Sequence, residues 1–347
     1  MNQAPTPSAS VKQRLNYIDV AKGILILMVI YNHTGNLAVA SGIHNSVIDF
    51  IPETRFFHSF FMPAFFVIAG MCSNYNKDFK SFCISNAKAL LIPAVTLLFV
   101  RILVRYIFTG TFSNLEWNAI CSKVAIFNLG YYNWFLTALF TTKVMFYAIL
   151  HAIKDYRLRI IVLTGIHVLG VIIFNFKGNG AIFYNFYFYQ HALMFLLYIE
   201  IGYEISKNNI NSWGFKINTL IFFVFYVSYL LLSREIPSIT SDPYVPIFDI
   251  IPHLFMSVCG SLMLIELSKI INKNSMEEFG KHSLVIYCLH FQFMFSYYHI
   301  FRDQLNTMGT HHTITALLIL YVFTSLGCLL CSKLLNFRYI RWILGKF

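Results

Sequence analysis

The chain has 347 residues, of which 57% are hydrophobic and only 12% are charged, whereas soluble domains carry about 25% charged residues. This composition excludes an ordinary water-soluble domain. Aromatic residues make up 18% of the chain, and a surface that exposed so many of them would aggregate in water. The formal net charge of +11 comes from short basic clusters between apolar runs, a distribution that argues against a nucleic-acid partner. The expected partner of most of the surface is the lipid bilayer.

Ten apolar runs follow one another along the chain, and none shows the period-two alternation of a membrane barrel. They predict an all-α integral membrane protein, a bundle of about ten transmembrane helices forming a single domain over 1–347. The runs are 22–40, 57–74, 84–108, 131–150, 159–176, 186–205, 217–233, 247–268, 282–300 and 313–333. The sixth is the least apolar, because it contains Gln190, His191, Glu200 and Glu204.

The basic residues predict the orientation of these helices, since Lys and Arg are retained in cytoplasmic loops. If the polar tail 1–13 is cytoplasmic, 18 of the 26 Lys and Arg residues fall on the inner side and 7 on the outer side. We therefore expect a multi-pass protein of the cell (inner) membrane with both termini in the cytoplasm. The outer segment 109–130 is long enough for a short amphipathic helix.

The seven cysteines lie mostly within or beside apolar runs, a scatter that predicts free thiols rather than a disulfide framework. Cys328 and Cys331 have the spacing of a metal-ligand pair, but no second pair accompanies them. We expect no metal site.

The first run carries ionisable residues, which are costly in a bilayer and therefore suggest function. Lys22 and His33 are eleven residues apart, or three helical turns plus about 20°, so they share one face at depths that differ by about 16 Å. Asp19 lies one turn before Lys22 and can pair with it or cap the helix. At this depth His33 is suited to proton transfer near neutral pH. The alternative is that Lys22 anchors the helix end by snorkelling and His33 only packs in the interior.

Further landmarks follow the Lys22-x10-His33 pattern in a fixed order. They are Phe60-Phe61-Met62-Pro63-Ala64-Phe65-Phe66-Val67-Ile68-Ala69-Gly70, Lys88-Ala-Leu-Leu-Ile-Pro93, Asn133-Trp134-Phe135-Leu136 and Ser283-Leu-Val-Ile-Tyr287-Cys-Leu-His290. Together these motifs resemble the acyltransferase-3 family, and most closely its fucose 4-O-acetylase-like branch. The resemblance spans about residues 14 to 290, and the family's helix count agrees with the ten runs.

The second motif departs from the family pattern at two positions. The family has His where Phe61 stands and usually Ser where Ala69 stands. His58 lies one turn earlier on the same side and could take the place of the missing His.

The resemblance implies a membrane O-acyltransferase that transfers an acyl group, expected to be acetyl, from acyl-CoA to a hydroxyl of a sugar or surface polysaccharide. The expected donor substrate is acetyl-CoA and the expected acceptor is a carbohydrate. Lys22, Arg14 and Lys88 would bind the CoA phosphates at the cytoplasmic mouth. His33, together with Lys22 and Asp19, would form the catalytic set, with His33 acting as a general base or as a transient acyl carrier.

A second group of residues is expected to bind the acceptor or to line the cavity. Arg101 and Arg105 are four residues apart near the predicted outer end of the third helix, so they share a face and can bind an acceptor or snorkel to the interface. The other members of this group are Trp134, His58, Tyr287 and His290.

Two other classes of function compete with acyl transfer. A proton-coupled transporter or flippase of a glycan or small molecule would also have many helices with buried His, Arg and Glu. Internal repetition would favour a carrier, but the patterns of the first two helices do not recur in the second half. A structural or assembly subunit would not need the aligned ionisable residues of the first helix.

Overall fold

The computed structural model describes residues 16–40, 59–110, 133–175, 189–208, 215–235, 250–271, 274–307, 310–337 and 339–345. These residues fold entirely into helices and turns, with no strand among them. The α-helices are α1 Asn16–Ala40, α2 Phe61–Cys72, α3 Phe79–Asn86, α4 Ile92–Thr109, α5 Trp134–Ala152, α6 Tyr156–Asn175, α7 Tyr189–Asn208, α8 Phe215–Glu235, α9 Ile250–Ile270, α10 Asn274–Lys281, α11 Ser283–Thr307 and α12 Thr310–Leu335. A π-helical turn spans Ala87–Leu91, and a 3₁₀ turn spans Arg341–Leu344.

Six helical stretches of the described chain are long and apolar enough to cross a membrane, which fits a multi-pass membrane protein. They are Phe79–Phe108, Trp134–Ala152, Tyr156–Ile173, Ile250–Ile270, Ser283–Phe301 and Ile314–Leu335. Each of the ten predicted runs overlaps a helix, but α1, α2, α7 and α8 are too short or too polar over their described residues to count as spans by themselves. The bundle of about ten spans therefore stays a prediction.

The predicted third span is longer than the sequence suggested and contains a change of helix type. It begins at Phe79 rather than at residue 84, because Asp78 caps the helix and its carboxylate accepts a hydrogen bond from the Ser81 N–H at 2.9 Å. The π-turn then separates α3 from α4. Pro93 follows that turn and has no N–H to donate to the preceding turn, which is consistent with the interrupted α-helical ladder.

Helix α1 is held at the centre of the bundle, where it contacts α2, α9, α10, α11 and α12. Two glycines allow α1 and α10 to approach backbone to backbone. A Cβ atom on Gly23 would collide with the Met276 carbonyl, and one on Gly280 would collide with the Asp19 carbonyl. Small residues are a common means of close helix packing in membranes. This contact fixes the end of α1 that carries Lys22.

The second motif mainly packs α2 against α7. Cβ atoms on Gly70 and Gly202 would each collide with a backbone carbonyl of the facing helix, so the two glycines make a reciprocal close approach. Phe66 stacks on Phe195 with ring centroids 4.1 Å apart and an interplanar angle of 7°. This packing directs the Phe65-Phe66 pair towards the start of α5.

A buried ion network joins α6 to α7 and explains how the least apolar run is accommodated. Arg159 Nε lies 2.7 Å from Glu200 Oε2, and Nη2 lies 2.6 Å from Glu204 Oε1. Nη1 donates to the Ile153 carbonyl at 3.1 Å. Arg159 is 1% exposed, although the positive-inside rule placed it among loop charges, and Glu200 is 0% exposed. We call these three residues the α6–α7 ion network.

The six cysteines of the described chain are free thiols. Several sequence predictions fall outside the described residues. These are the tail 1–13, Arg14, His58, Cys121 and the amphipathic helix proposed beyond residue 110.

Candidate functional site

The structure brings two histidines from distant parts of the sequence into contact. The imidazole rings of His33 on α1 and His290 on α11 stack with centroids 5.2 Å apart and an interplanar angle of 29°. Phe291 packs on both rings, at 4.4 Å from His33 and 4.5 Å from His290. Tyr287, one turn before His290, lies 5.9 Å from it. We call these four residues the histidine cluster.

The hydrogen bonds of His290 determine which ring nitrogen carries its proton. Nδ1 lies 2.6 Å from the Tyr287 carbonyl and 3.2 Å from the Ile286 carbonyl. Carbonyl oxygens only accept, so Nδ1 is the donor and Nε2 of the neutral ring keeps a lone pair. That Nε2 is buried and has no hydrogen-bond partner among the described residues. His290 is therefore oriented so that it can accept a proton.

Arg101 lies near the histidine cluster. It occupies the middle of α4 and is only 8% exposed. Its Nε donates at 3.0 Å to Oε1 of Gln292, which is two residues beyond His290. Arg105, one turn closer to the end of α4, is half-buried.

The Trp-Phe-Leu motif at the start of α5 packs against Tyr287 of the histidine cluster. The Phe135 N–H donates to the Tyr287 hydroxyl at 3.4 Å, and their rings lie 5.2 Å apart. Trp134 packs on His191 of α7 at 4.8 Å. Phe65 and Phe66 of the α2 motif both pack on Phe135, at 5.3 Å and 5.5 Å. Aromatic side chains of motifs that are more than two hundred residues apart in the sequence therefore pack against one another.

A second polar group lies near the beginning of α1. Lys22 Nζ is 3.2 Å from Asp19 Oδ1, and the Asp19 side chain is almost completely buried. Lys143 of α5 donates from Nζ to Asn86 Oδ1 at 3.0 Å. We call Asp19, Lys22, Asn86 and Lys143 the inner basic cluster. Lys88 is exposed on the π-turn, two residues beyond Asn86.

Several residues of these two clusters were not identified from the sequence. Phe291 and Gln292 follow His290 directly, yet nothing in their residue types marks them as site residues. Lys143 offered a usable signal, because it is a lysine inside an otherwise apolar run. Its partner Asn86 is 57 residues away, and that pairing is not readable from local patterns.

The described part of the chain contains no group of three or more His, Cys, Asp or Glu side chains that could hold a metal ion. The histidine cluster carries imidazole groups, the inner basic cluster carries ammonium groups, and Arg101 adds a guanidinium. Imidazole can transfer a proton or form an acyl bond, and the cations can bind anions or developing negative charge.

Comparison with known proteins identifies the family of this chain. No curated protein and no solved structure matches it. The sequence model of the acyltransferase-3 family, described as an acyltransferase domain, matches residues 15–333. The match does not distinguish branches, so the fucose 4-O-acetylase-like branch stays a prediction. Because the match covers nearly the whole chain and includes every landmark motif, the chain belongs to the acyltransferase-3 family.

Proposed function

We propose that the protein is a membrane O-acyltransferase that transfers an acetyl group from cytoplasmic acetyl-CoA to a hydroxyl of a sugar or surface polysaccharide. In this proposal about ten helices cross the cell membrane and both termini are cytoplasmic. Family membership supports an acyltransferase. The donor and the carbohydrate acceptor are what the resemblance to the acyltransferase-3 family implies, and the residues along α1 are compatible with them.

The observation that carries the proposal is the stacking of the half-buried His33 on the buried His290. Two imidazoles stack beside an arginine in the interior of the bundle, and one of them has an oriented nitrogen lone pair. Acyl transfer to a hydroxyl needs a base for the acceptor proton and positive charge for the developing oxyanion. The histidine cluster and Arg101 can supply both.

In the direct route, His33 removes the proton from the acceptor hydroxyl while the oxygen attacks the thioester carbonyl. The C–S bond then breaks, the new C–O ester bond is complete, and the CoA sulfur receives the proton. Arg101 stabilises the negative charge of the tetrahedral intermediate, and the Tyr287 carbonyl orients His290 next to the reacting imidazole.

In the covalent route, a nitrogen of neutral His33 attacks the thioester carbonyl, the C–S bond breaks, and the CoA sulfur leaves with the proton of the imidazole N–H. The acyl group stays on His33 until the acceptor oxygen attacks it and the N–C bond breaks. Here His290 accepts the proton that leaves the acceptor hydroxyl. Both routes use the same residues and differ only in whether an acyl-histidine forms.

At the other end of α1, Lys22 and the neighbouring cations bind the donor phosphates. Lys88 is exposed and can contribute at the entrance, and Arg14 precedes the described part of α1. Asp19 orients the Lys22 ammonium through their 3.2 Å contact. The acceptor would approach from the side of Arg105 and Trp134. A proton-coupled carrier would use similar buried residues, but membership of an acyltransferase family favours acyl transfer over transport.

Mass spectrometry of surface glycans from cells with and without the gene tests the proposal. We expect one sugar class to lose an acetyl mass when the gene is deleted, and the wild-type gene but not the His33→Gln variant should restore it. A modification of a different mass would identify another acyl group. Unchanged glycans, together with no transfer from radiolabelled acetyl-CoA by the purified protein, would contradict the proposed function.

A further inference from the structure

The side-chain hydroxyl of Tyr287 accepts a hydrogen bond from the start of another helix. The N–H of Phe135, the second residue of α5, donates to its oxygen at 3.4 Å. The first N–H groups of a helix have no carbonyl partner within that helix. The Asn133 side chain does not cap α5, because its amide donates instead to the Ala94 carbonyl at 2.9 Å. Within the described residues the Tyr287 oxygen makes no other hydrogen bond, so its own hydrogen is available to a ligand.

Tyr287 lies on one particular side of the two stacked histidines. Gly280, close to the start of α11, packs against the Asp19 carbonyl near the start of α1, whereas His290 of α11 packs against His33 further along α1. The two helices therefore run in the same direction. Tyr287 precedes His290 by one turn, with their rings 5.9 Å apart, so it lies between the histidine pair and the starts of both helices.

This position matches the path of a donor that enters at the Lys22 end of α1. The thioester of such a donor passes Tyr287 before it reaches His33. Tyr287 is half-buried, so its hydroxyl is accessible to a substrate. The Phe135 N–H and the partial positive charge at the start of α5 polarise this hydroxyl, which makes it a stronger hydrogen-bond donor.

We propose that Tyr287 is a catalytic residue whose hydroxyl donates a hydrogen bond to the thioester carbonyl oxygen and to the oxyanion that forms from it. This inference rests on the proposed function, because it takes an acyl thioester that enters at the Lys22 end as the donor. Tyrosine hydroxyls are among the groups that form oxyanion holes. Arg101 supplies positive charge in the same region, and Tyr287 adds a directed hydrogen bond.

The step balances without a further reactant. The acceptor oxygen attacks the carbonyl carbon, and the electrons of the C=O π bond move to the carbonyl oxygen, which Tyr287 holds by its hydrogen bond. The C=O bond then re-forms as the C–S bond breaks. The proton of the acceptor hydroxyl passes through His33 to the CoA sulfur, and Tyr287 keeps its own proton throughout.

Two replacements of Tyr287 separate this donor role from the acceptor role towards α5. Tyr287→Phe removes the oxygen and its hydrogen, whereas O-methyltyrosine at position 287, introduced by amber suppression, keeps an oxygen for the Phe135 N–H but has no hydrogen to donate. Both should lower the maximal rate of acetyl transfer by about 10²- to 10³-fold, the usual cost of one oxyanion-hole donor. Both should bind CoA as wild type does, because the lost interaction belongs to the transition state.

The rate is measured with saturating radiolabelled acetyl-CoA as transfer to the glycans of membranes from a deletion strain that expresses each variant, normalised to the amount of folded protein. CoA affinity is measured by equilibrium binding to the purified full-length proteins. Tyr297→Phe is the matched control, since Tyr297 is a buried tyrosine of the same helix whose hydroxyl donates to the Ala316 carbonyl at 3.2 Å. It should leave the rate unchanged.

Three results would overturn the oxyanion role of Tyr287. O-methyltyrosine protein as active as wild type would show that the oxygen serves only as an acceptor for α5. A Tyr287→Phe protein with the wild-type rate, or with no larger loss than Tyr297→Phe, would show that the hydroxyl has no part in the chemistry. Weaker CoA binding with an unchanged maximal rate would assign Tyr287 to donor binding. Wild-type protein that transfers no label would instead refute the proposed function itself.

Discussion

The α6–α7 ion network and the inner basic cluster both place positive charge within the helical bundle, but only the first pairs every one of its cations with a carboxylate. Arg159 lies within 2.7 Å of carboxylate oxygens on Glu200 and Glu204. Among the described residues, the Lys143 ammonium has the neutral amide of Asn86 as its hydrogen-bond partner. The first arrangement pairs its cation with carboxylates, whereas the second gives Lys143 a neutral partner. The comparison suggests that buried charges paired by the protein itself stabilise the fold, and that those left with neutral partners are available to substrates.

The largest effect of a substitution is expected at His33, which belongs to neither group and lies at the proposed reaction centre. His33→Gln should lower the rate of acyl transfer by about 10²- to 10⁴-fold, the usual cost of losing an acid or base, while the protein still inserts and folds. The measurement is the turnover of purified protein with radiolabelled acetyl-CoA. His167→Gln is a control, because His167 is a buried histidine outside the histidine cluster, with Nδ1 2.7 Å from the Met194 carbonyl and its ring 5.6 Å from that of Tyr198. Equal losses for both variants would argue against a chemical role for His33.

The next largest effect is expected at Arg159, and it should appear in stability. Arg159→Met leaves two buried carboxylates without their cation, which should lower the free energy of unfolding by about 3–5 kcal/mol. The midpoint of thermal unfolding measures this loss, and turnover per folded molecule should stay unchanged. Replacing Arg159, Glu200 and Glu204 together by apolar residues should recover most of the stability. A stable Arg159→Met protein with impaired turnover would reverse the roles that we assign to the two regions.

A smaller effect is expected at Gln292, which accepts the hydrogen bond from Arg101. Gln292→Leu removes that acceptor from a buried guanidinium, a loss of about 1.5–3 kcal/mol for a hydrogen bond to a charged group. Arg101 would then be less well placed for the oxyanion, so turnover should fall by about 10- to 100-fold. Gln292→Glu keeps an acceptor and should retain more activity than Gln292→Leu. The reverse order of the two variants would refute the positioning role.

The smallest effect is expected at an exposed ion pair. Lys269 Nζ lies 2.8 Å from Glu266 Oε1, at the end of α9. Exposed pairs contribute about 0–1 kcal/mol, so Lys269→Met should change neither the unfolding midpoint nor the turnover appreciably. This variant gives the baseline against which the buried charges are compared. A change as large as that of Arg159→Met would mean that removal of any cation destabilises this protein.

The helices were largely predictable from the sequence, because long apolar runs are a local signal. The run 186–205, which contains two glutamates, did form a helix, Tyr189–Asn208. What the sequence could not provide was the reason, since the compensating Arg159 lies 41 residues before Glu200. The sequence placed Arg101 and Arg105 on one helical face, but it did not show that Arg101 contacts Gln292, which is 191 residues away.

The candidate site was predictable only in the part that lies on one helix. The spacing of eleven residues places Lys22 and His33 on the same face of a helix, independently of how that helix packs against the others. The stacking of His33 on His290 and the pairing of Lys143 with Asn86 depend on how helices pack against one another. Family resemblance suggested His290 as a site residue, but Lys143 could be recognised only after its surroundings were known.

The π-turn at Ala87–Leu91 determines the angle about the helix axis between Asn86, which lies before the turn, and Arg101, which lies after it. In it the Ile92 N–H reaches the Ala87 carbonyl, five residues back instead of four, so the turn holds one residue more than an α-helical turn. Asn86 precedes it and faces Lys143, whereas Arg101 follows it and faces Gln292. Deleting one residue of this turn would restore a regular α-helix and rotate Arg101 by about 100° relative to Asn86. Donor binding would then survive in a protein whose guanidinium points away from the reacting carbonyl.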